Sequence, residues 1–207
     1  MQKRWLGYWE EEDLISELIA GNSQRPNFSF VDGPITANNP MGVHHAWGRT
    51  LKDVIQRFKA MSGFNQRLQN GFDCHGLWVE VETEKELGLK TKIDVENYGI
   101  GKFSSKCRDR VMRFAAKIEE QSKTLGQWMN WPNSYFTMSD ENIETIWHFL
   151  KICSEKNMLY KGSRVMPWCP RCGTSLSQHE LMDSYREMIH KAVYLRLPVV
   201  GESDLYF

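Results

Sequence analysis

The sequence predicts an α/β fold with the strand–loop–helix opening of a nucleotide-binding domain. Phe28-Ser29-Phe30-Val31 is a short strand candidate, and a polar loop that contains glycine follows at residues 33–45. Apolar side chains then recur at helical spacing from Trp47 to Phe58. A strand, a glycine-containing loop and a helix in this order are typical of the first unit of a doubly wound nucleotide-binding sheet.

Helices and strands alternate through the rest of the chain. Residues 65–73 can supply the next strand, and residues 192–197 alternate like the first strand of a new unit. Helices are predicted over residues 1–13, 76–87, 103–125 and 140–157. The last of these helices is expected to turn Ile143, Trp147 and Leu150 toward the core.

The composition is ordinary for a globular chain and excludes several classes of protein. Lys+Arg and Asp+Glu number 26 each among 207 residues, so the charge balance indicates no broad basic face for nucleic acid. No apolar run approaches the length of a membrane span, and the pattern of a secretory leader is missing. We therefore expect a cytoplasmic monomer with no membrane partner, whose five cysteines are reduced.

The loop before the first long helix is the most informative segment. It combines small residues with the amides of Asn38 and Asn39 and the imidazoles of His44 and His45. A helix N-terminus favours an anion because free backbone N–H groups and the helix dipole point at it, and histidines can donate further hydrogen bonds. The pattern thus indicates a phosphate site. Alternatively, the amides only cap and turn the chain while the imidazoles are solvated, and spacing alone leaves both interpretations open.

Six sequence blocks carry a family resemblance. Gly-Pro-x-Thr-Ala-Asn at residues 33–38 and Thr-Leu-Lys-Asp at residues 50–53 flank the histidines. The other four are Gly-Phe-Asn at 63–65, Gly-Phe-Asp-Cys-His-Gly-Leu at 71–77, Gly-Gln-Trp-Met-Asn-Trp at 126–131 and Pro-Trp-Cys-Pro-Arg-Cys-Gly-Thr-Ser-Leu-Ser at 167–177. In content, order and spacing, the chain from about Arg25 onward resembles the class I aminoacyl-tRNA synthetases. Asp-Cys-His-Gly-Leu and Trp-Met-Asn-Trp resemble the isoleucine-specific members best and the valine-specific members second.

The resemblance implies the first half of a Rossmann-like catalytic domain with a zinc-knuckle connective insertion. It divides the chain into a helical extension at 1–25, the half-domain at 26–160, the knuckle segment at 161–192 and the start of a truncated editing insertion at 193–207. The family's second nucleotide-binding loop, with its catalytic lysine, and its anticodon-binding region have no counterpart here. The isolated chain is therefore expected to be inactive, whereas its full-length parent would activate isoleucine with ATP and Mg²⁺ and transfer it to tRNA(Ile).

The resemblance also assigns roles to individual residues. The ATP-binding set is Asn38, Gly42, His44 and His45, with the two histidines in the catalytic role. The amino-acid-binding set is Pro34, Ile35 and Asp73, with Asp73 pairing with the substrate's ammonium group. An alternative for Asp73 stays open, in which its carboxylate only caps the helix that begins near Gly76.

Three departures from the family pattern affect these roles. The family carries His-x-Gly-His where this chain has Gly42-Val43-His44-His45, and the count from Thr36 is unchanged, so residues are exchanged and not inserted. The imidazole of His44 is expected either to intrude on the nucleotide or to shift the loop, with Gly42 supplying compensating room. Ile35 and Trp78 each stand where a proline is common.

A cysteine pair predicts half of a metal site. Cys169-Pro170-Arg171-Cys172 places two thiolates on one tight turn, which suits half of the tetrahedral shell of Zn²⁺. His179 could add a third ligand, and a solvated position is the alternative. The resemblance places a second cysteine pair beyond the editing insertion, so only a zinc half-site is expected here. The remaining cysteines, which stand alone and are expected to be buried apolar residues, are Cys74, Cys107 and Cys153.

A function of a different class stays open beside the enzyme. The exchanged Gly42 and His44 and the missing second loop also fit a non-catalytic, synthetase-like module that holds ATP or tRNA. A zinc-ribbon adaptor explains only residues 169–173. A downstream lysine-containing loop and a second Cys-x-x-Cys in the reading frame would favour the enzyme.

Overall fold

The computed structural model describes residues 2–28, 30, 32–182 and 185–201. The chain divides into two compact units, Met1–Ser163 and Arg164–Phe207. Within the described ranges, no helix is both long and apolar enough to cross a membrane.

Helices and short strands alternate along the first unit. In chain order they are α1 (Gln2–Glu11), α2 (Leu14–Gly21), β1 (Ile35–Thr36), α3 (Val43–Met61), β2 (Gly71–Asp73), α4 (Leu77–Leu87), α5 (Lys92–Tyr98), α6 (Ile100–Thr124), a 3₁₀ turn (Trp131–Asn133), β3 (Tyr135–Phe136) and α7 (Asp140–Glu155). The helices predicted from periodicity are confirmed, including the stop of α4 at Gly88, whose φ of 72° is in the left-handed region that favours glycine.

The three strands of the first unit form a parallel sheet with β2 in the centre. Ile35 pairs with Phe72, and Phe72 pairs in turn with Phe136. Because parallel strands end at the same edge of a sheet, the segments after β1, β2 and β3 meet there. The α/β fold predicted from the strand–loop–helix pattern is confirmed.

The core lies beneath this edge of the sheet. Its buried apolar members come from β2, α4, α6 and the segments after β1 and β2, and they are Ala37, Phe72, Cys74, Val79, Val111, Ala115 and Ile118. Ala37 begins the loop between β1 and α3 and is fully buried, so the loop is anchored in the core at its first residue. Cys74 is buried as expected, whereas Cys107 and Cys153 are only partly buried.

The described residues of the first predicted strand form no strand, and β2 is shorter than the predicted strand at residues 65–73. Of the candidate strand Phe28–Val31, Ser29 and Val31 lie outside the described residues, and Phe28 and Phe30 belong to no strand. An isolated parallel bridge joins Asn27 to Asn65. From Asn27 to Ile35 one segment advances by eight residues, while its partner advances by seven from Asn65 to Phe72. The two pairings therefore differ in register by one residue.

Two helices turn apolar faces to solvent. In α3, Trp47 is 69% exposed, while Arg49 and Gln56 on the opposite side of the helix are buried. In α7, the prediction that Ile143 and Trp147 face the core is wrong, because these side chains are 38% and 67% exposed, and Leu150 is only partly buried. With Pro34 and Tyr135 these three residues line an open apolar cleft of about 460 Å³. Helical spacing thus identified the apolar faces but not what they contact.

The second unit contains a short antiparallel hairpin. Its strands, β4 (Trp168–Cys169) and β5 (Thr174–Ser175), pair Cys169 with Thr174. A 3₁₀ turn (Gln178–Leu181) follows. The strand predicted at residues 192–197 is wrong: these residues are exposed and carry no strand, because a strand needs a partner and the described residues pair none with them. Residues 202–207 of the predicted editing segment lie outside the described residues.

Candidate nucleotide-binding site

A loop at residues 37–42 connects β1 to the N-terminus of α3, and it is called the phosphate loop here after the site that the sequence predicts for it. The backbone N–H of Ala37 donates to the Asp73 carbonyl at 3.0 Å, which ties the start of the loop to the end of β2. A cavity of about 750 Å³ opens beside the loop, and the predicted site residues among its lining are Pro34, Ile35, Asn38, His44 and His45. The first turn of α3 lies at the same place; its first backbone hydrogen bonds run from the N–H groups of His45 and Ala46 to the Gly42 carbonyl, after the N–H groups of Val43 and His44.

His45 has a defined orientation in the first turn of α3. Gly42 is the N-cap residue, and its backbone N–H donates to Nδ1 of His45 at 3.2 Å. The ring thus fills the place that a glutamate or glutamine side chain takes in a capping box. Since Nδ1 accepts this hydrogen bond, the neutral ring carries its proton on Nε2. His45 can therefore offer an N–H donor from its far edge.

The imidazole of His44 lies against that of His45. Their ring centroids are 3.8 Å apart, and the ring planes are inclined by 40°. Burial, with further contributions from the charges of His44 and Arg49, lowers the pKa of His45 below the ordinary histidine value. A lowered pKa keeps the His45 ring neutral near pH 7 and preserves Nδ1 as an acceptor.

Helix α6 holds the phosphate loop at two points. Arg110, whose side chain is buried, donates from Nε to the Asn38 carbonyl at 3.0 Å and from Nη2 to Oδ1 of Asn39 at 3.0 Å. Its Nη1 bonds Glu86 of α4. Three helical turns further along α6, Oε1 of Gln121 accepts from the N–H of Met41 at 2.8 Å. The loop is thus fixed before any ligand binds.

The side-chain amide of Asn38 is already hydrogen-bonded within the protein. Its Nδ2 donates to the carbonyl of Trp78, the residue that stands in place of the family's proline, at 3.3 Å. The side-chain oxygen of Asn38 takes no part in this hydrogen bond and can accept one from a ligand.

Asp73 lies at the end of β2 and is held by two threonines. Oγ1 of Thr36 donates to Oδ2 at 3.1 Å, and Oγ1 of Thr137, just after β3, lies 3.4 Å from Oδ1. The alternative role of Asp73 as a helix cap does not fit, because no side chain caps α4 at Gly76. Asp73 instead accepts from the backbone N–H of His75 at 3.3 Å, ahead of the helix. Asp73 is not among the residues that line the cavity, whereas Thr36, which donates to it, is.

The cavity also has cationic neighbours. Arg49, one helical turn after His45, is 8% exposed, and its guanidinium donates to the amide oxygens of Asn70 at 3.3 Å and Gln127 at 3.0 Å. Burial lowers the pKa of Arg49, and the charge of Asp32 partly offsets this. Lys52, a further residue of the lining, forms a 2.6 Å ion pair with Asp32. A buried cation held by neutral amides gives this side of the cavity a positive potential.

The cysteine turn (residues 169–173) belongs to the second unit. The N–H of Cys172 donates to Sγ of Cys169 at 3.4 Å, and this hydrogen bond contributes most to lowering the pKa of Cys169. The N–H of Gly173 donates to the Cys169 carbonyl at 2.8 Å. Among the described residues, no group of three or more metal-ligand side chains comes together, so His179 does not join the pair.

Sequence reasoning missed the residues that hold the site. Thr36 and Thr137 could have been found from their positions at neighbouring strand ends. The spacing of Arg110 and Gln121 by eleven residues places them on one face of α6, but nothing in the sequence shows that this face meets the phosphate loop.

Comparisons with known proteins identify the family. Residues 4–195 match the family model described as tRNA synthetases class I (I, L, M and V). The chain is 42% identical over 196 residues to an isoleucine–tRNA ligase of Streptomyces coelicolor, covering 95% of the chain and 19% of that protein. It is 41% identical to the isoleucine–tRNA ligase of Thermobifida fusca over 97% of the chain, and 39% identical to that of Clostridium novyi over 100%.

A solved structure shares the fold. The LeuRS of the ternary LeuRS–tRNA–LeuAMS complex from Agrobacterium radiobacter K84 matches with a TM-score of 0.62 and 16% identity, over 88% of this chain and 21% of that one. The chain spans about a fifth of the length of the curated relatives it matches. On the family model and on relatives near 40% identity, this chain belongs to the class I aminoacyl-tRNA synthetases, an enzyme family.

Proposed function

We propose that this chain is the ATP- and isoleucine-binding part of an isoleucine–tRNA ligase, an enzyme that activates isoleucine with ATP and transfers it to tRNA(Ile). The observation that carries the proposal is the orientation of His45. Its Nδ1 is held by the N–H of Gly42, which leaves the opposite ring edge as a donor beside a helix N-terminus and a cavity.

The proposed reaction is attack of the amino-acid carboxylate on the α-phosphate of ATP, with pyrophosphate leaving. Little covalent chemistry falls to the protein in phosphoryl transfer, so catalysis is positioning and stabilisation of charge. His45 would donate from Nε2 to a phosphate oxygen, and His44, Gly42 and Asn38 would border the nucleotide. The positive charge of Arg49 favours the polyphosphate at longer range. Mg²⁺ would neutralise phosphate charge when bound with ATP.

We assign the amino-acid end of the site to Asp73, Pro34 and Ile35. A carboxylate is the natural partner of the substrate's ammonium group. Oδ1 already accepts from Thr137 and from the His75 N–H, whereas Oδ2 accepts from Thr36 and can take a further hydrogen bond. Thr36 and Thr137 would fix the direction of the carboxylate. Pro34 lines both the phosphate-loop cavity and the apolar cleft of α7, which suits a residue beside an aliphatic substrate side chain.

The preference for isoleucine rests on the relatives, which are isoleucine–tRNA ligases at about 40% identity. Isoleucine and valine differ by one methylene, which an apolar pocket distinguishes by roughly 10–200-fold. The test is amino-acid-dependent ATP–pyrophosphate exchange by the complete protein that carries this chain. Isoleucine should exceed valine by a factor in that range. Preference for valine would move the assignment to the valine branch, and Mg·ATP binding with no exchange would favour the non-catalytic module.

The remaining parts of the proposal concern the metal and the domains. Cys169 and Cys172 would hold Zn²⁺ as half of its shell; the hydrogen bond from the Cys172 N–H, which favours the Cys169 thiolate, suits this chemistry. We keep the division into a helical extension (1–25), a catalytic half-domain (26–160), a zinc-knuckle segment (161–192) and the start of an editing insertion (193–207). A monomeric, cytoplasmic parent enzyme completes the proposal.

A further inference from the structure

Gly42 differs from other residues at this position by its missing side chain and not by its backbone conformation. Its φ of −84° and ψ of 171° are extended values that any residue adopts. A Cβ added at Gly42 would lie 3.2 Å from Cε1 and 3.3 Å from Nδ1 of His44. Contacts this short are tighter than most real Cβ contacts and require the His44 ring to shift by a few tenths of an ångström. The space that the glycine leaves free is therefore the space that the His44 ring occupies.

The same two residues hold His45 from two sides. The N–H of Gly42 donates to Nδ1 of His45 and so fixes one ring edge. The His44 ring, with its centroid 3.8 Å away, covers one ring face. Rotating the His45 ring would break the hydrogen bond or the ring contact.

We propose that Gly42 and His44 form a complementary pair, in which the missing side chain of Gly42 admits the His44 imidazole and His44 in turn fixes the ring of His45. His44 is then a positioning residue for His45. The value of that positioning for phosphate transfer rests on the proposed function, but the pairing itself is a property of the chain and can be measured without a ligand.

The charged groups around His45 affect its pKa, which a titration of the ring would measure. On its own helix these are His44, Arg49 and Lys52, and the same cavity is also lined by Asp32, which pairs with Lys52. Burial is the main cause that lowers the pKa of His45, followed by the charges of His44 and Arg49. Removing the His44 ring takes away both cover and a like charge, so both changes raise the pKa of His45 toward the ordinary value.

The experiment is an NMR titration of the histidine-labelled 207-residue chain, with the His45 signals assigned through His45→Gln. Four forms are compared: native, Gly42→Ala, His44→Ala and the double variant. We expect His44→Ala to raise the His45 midpoint. Gly42→Ala should shift the His45 ring signals and midpoint the same way in the native background, because its methyl group displaces the His44 ring. In the His44→Ala background, Gly42→Ala should add no further shift.

Two controls separate this effect from trivial ones. Alanine is a poorer N-cap than glycine, but this cost is the same in both backgrounds and cancels in the double-mutant cycle. Gly48→Ala adds the same methyl group further along α3, where a Cβ meets nothing within 4 Å, and should leave the His45 titration unchanged.

Two results would overturn the pairing. One is a His45 midpoint that does not move in His44→Ala. The other is a Gly42→Ala shift of equal size with and without His44. Mg·ATP binding, measured separately by calorimetry on the same four forms, tests the proposed function. A chain that shows the His45 coupling but no ATP binding would keep the pairing and reject the nucleotide role.

Discussion

The phosphate loop in the first unit and the cysteine turn in the second are both tight bends that present polar groups, but different parts of the chain hold them. The phosphate loop is fixed by Asp73, Arg110 and Gln121, and the last two lie 72 and 80 positions from the residues they contact. The cysteine turn is fixed by hydrogen bonds between Cys169, Cys172 and Gly173 and by one short hairpin.

This difference separates geometry that requires a folded domain from geometry that a short peptide can adopt. The phosphate loop has its arrangement because β2, α4 and α6 are packed around it. The cysteine turn is formed locally, yet it offers only two metal ligands among the described residues. The phosphate loop is thus held by long-range contacts, whereas the cysteine turn is held by local ones and supplies an incomplete metal site. Substitutions in the folded core should therefore affect the phosphate loop more than the cysteine turn.

The largest expected effect is the absence of catalysis in the chain alone. We expect no isoleucine-dependent ATP–pyrophosphate exchange above a blank without enzyme, because the chain spans about a fifth of the length of its relatives and supplies one side of the phosphate site. Exchange that rises in proportion to the purified chain would show that the first unit is sufficient.

Arg110→Met tests the long-range hold on the phosphate loop. The substitution removes the hydrogen bonds to Asn38 and Asn39 and also the hydrogen bond to Glu86. It should lower the free energy of unfolding by about 2 kcal/mol. Arg113→Met is the matched control, since Arg113 also bonds Glu86 but is exposed and does not contact the loop. Its cost should stay below about 1 kcal/mol in chemical denaturation. Equal costs would mean that contact with the loop contributes little.

Zinc retention tests the cysteine turn. Two thiolates satisfy half of a tetrahedral shell, so the isolated chain should retain clearly less than one equivalent of zinc after dialysis against a mild chelator. Cys169→Ser should abolish what remains without changing the unfolding of the first unit. One tightly held zinc per chain would show that a further group, such as His179, completes the site.

The smallest expected effect is the pH dependence of stability from His45. Its pKa is lowered in the folded chain, so the unfolded chain binds more protons as pH falls below the ordinary value of 6.5. The contribution of neutral His45 is therefore complete above this value and is lost as pH falls toward the lowered pKa. Denaturation at pH 7.5 and 5.5 should show a larger loss for the native chain than for His45→Gln. Identical losses would contradict the lowered pKa.

Much of the first unit could be predicted from the sequence because its signals are local. The apolar residues of α6, such as Phe103, Val111 and Ile118, recur on one face and are buried as that pattern indicates. The position of the phosphate loop before α3 follows from its glycine, amides and histidines. Resemblance to a family then supplied the roles of His45 and Asp73, which remain proposals.

What could not be predicted depends on contacts between distant segments. Three arginines of α6 look alike in the sequence: Arg108, Arg110 and Arg113. Only the packing of α6 against α4 and the phosphate loop makes Arg110 the buried one. The register changes by one residue between the Asn27–Asn65 bridge and the pairing of β1 with β2, and no residue pattern reveals this change. The exposed apolar stripe of α3 has the same spacing as a buried one.

The proposed role of His45 is to donate a hydrogen bond to the phosphates, and one measurement tests this role most directly. Isoleucine-dependent ATP–pyrophosphate exchange should be measured in the complete protein that carries this chain, in native form and as His45→Gln. The variant should lose roughly 10²–10³-fold in kcat, the usual cost of removing one donor to a developing negative charge. His148→Gln, a substitution of an exposed histidine on α7, should change little. Exchange by His45→Gln within threefold of the native protein would contradict the account.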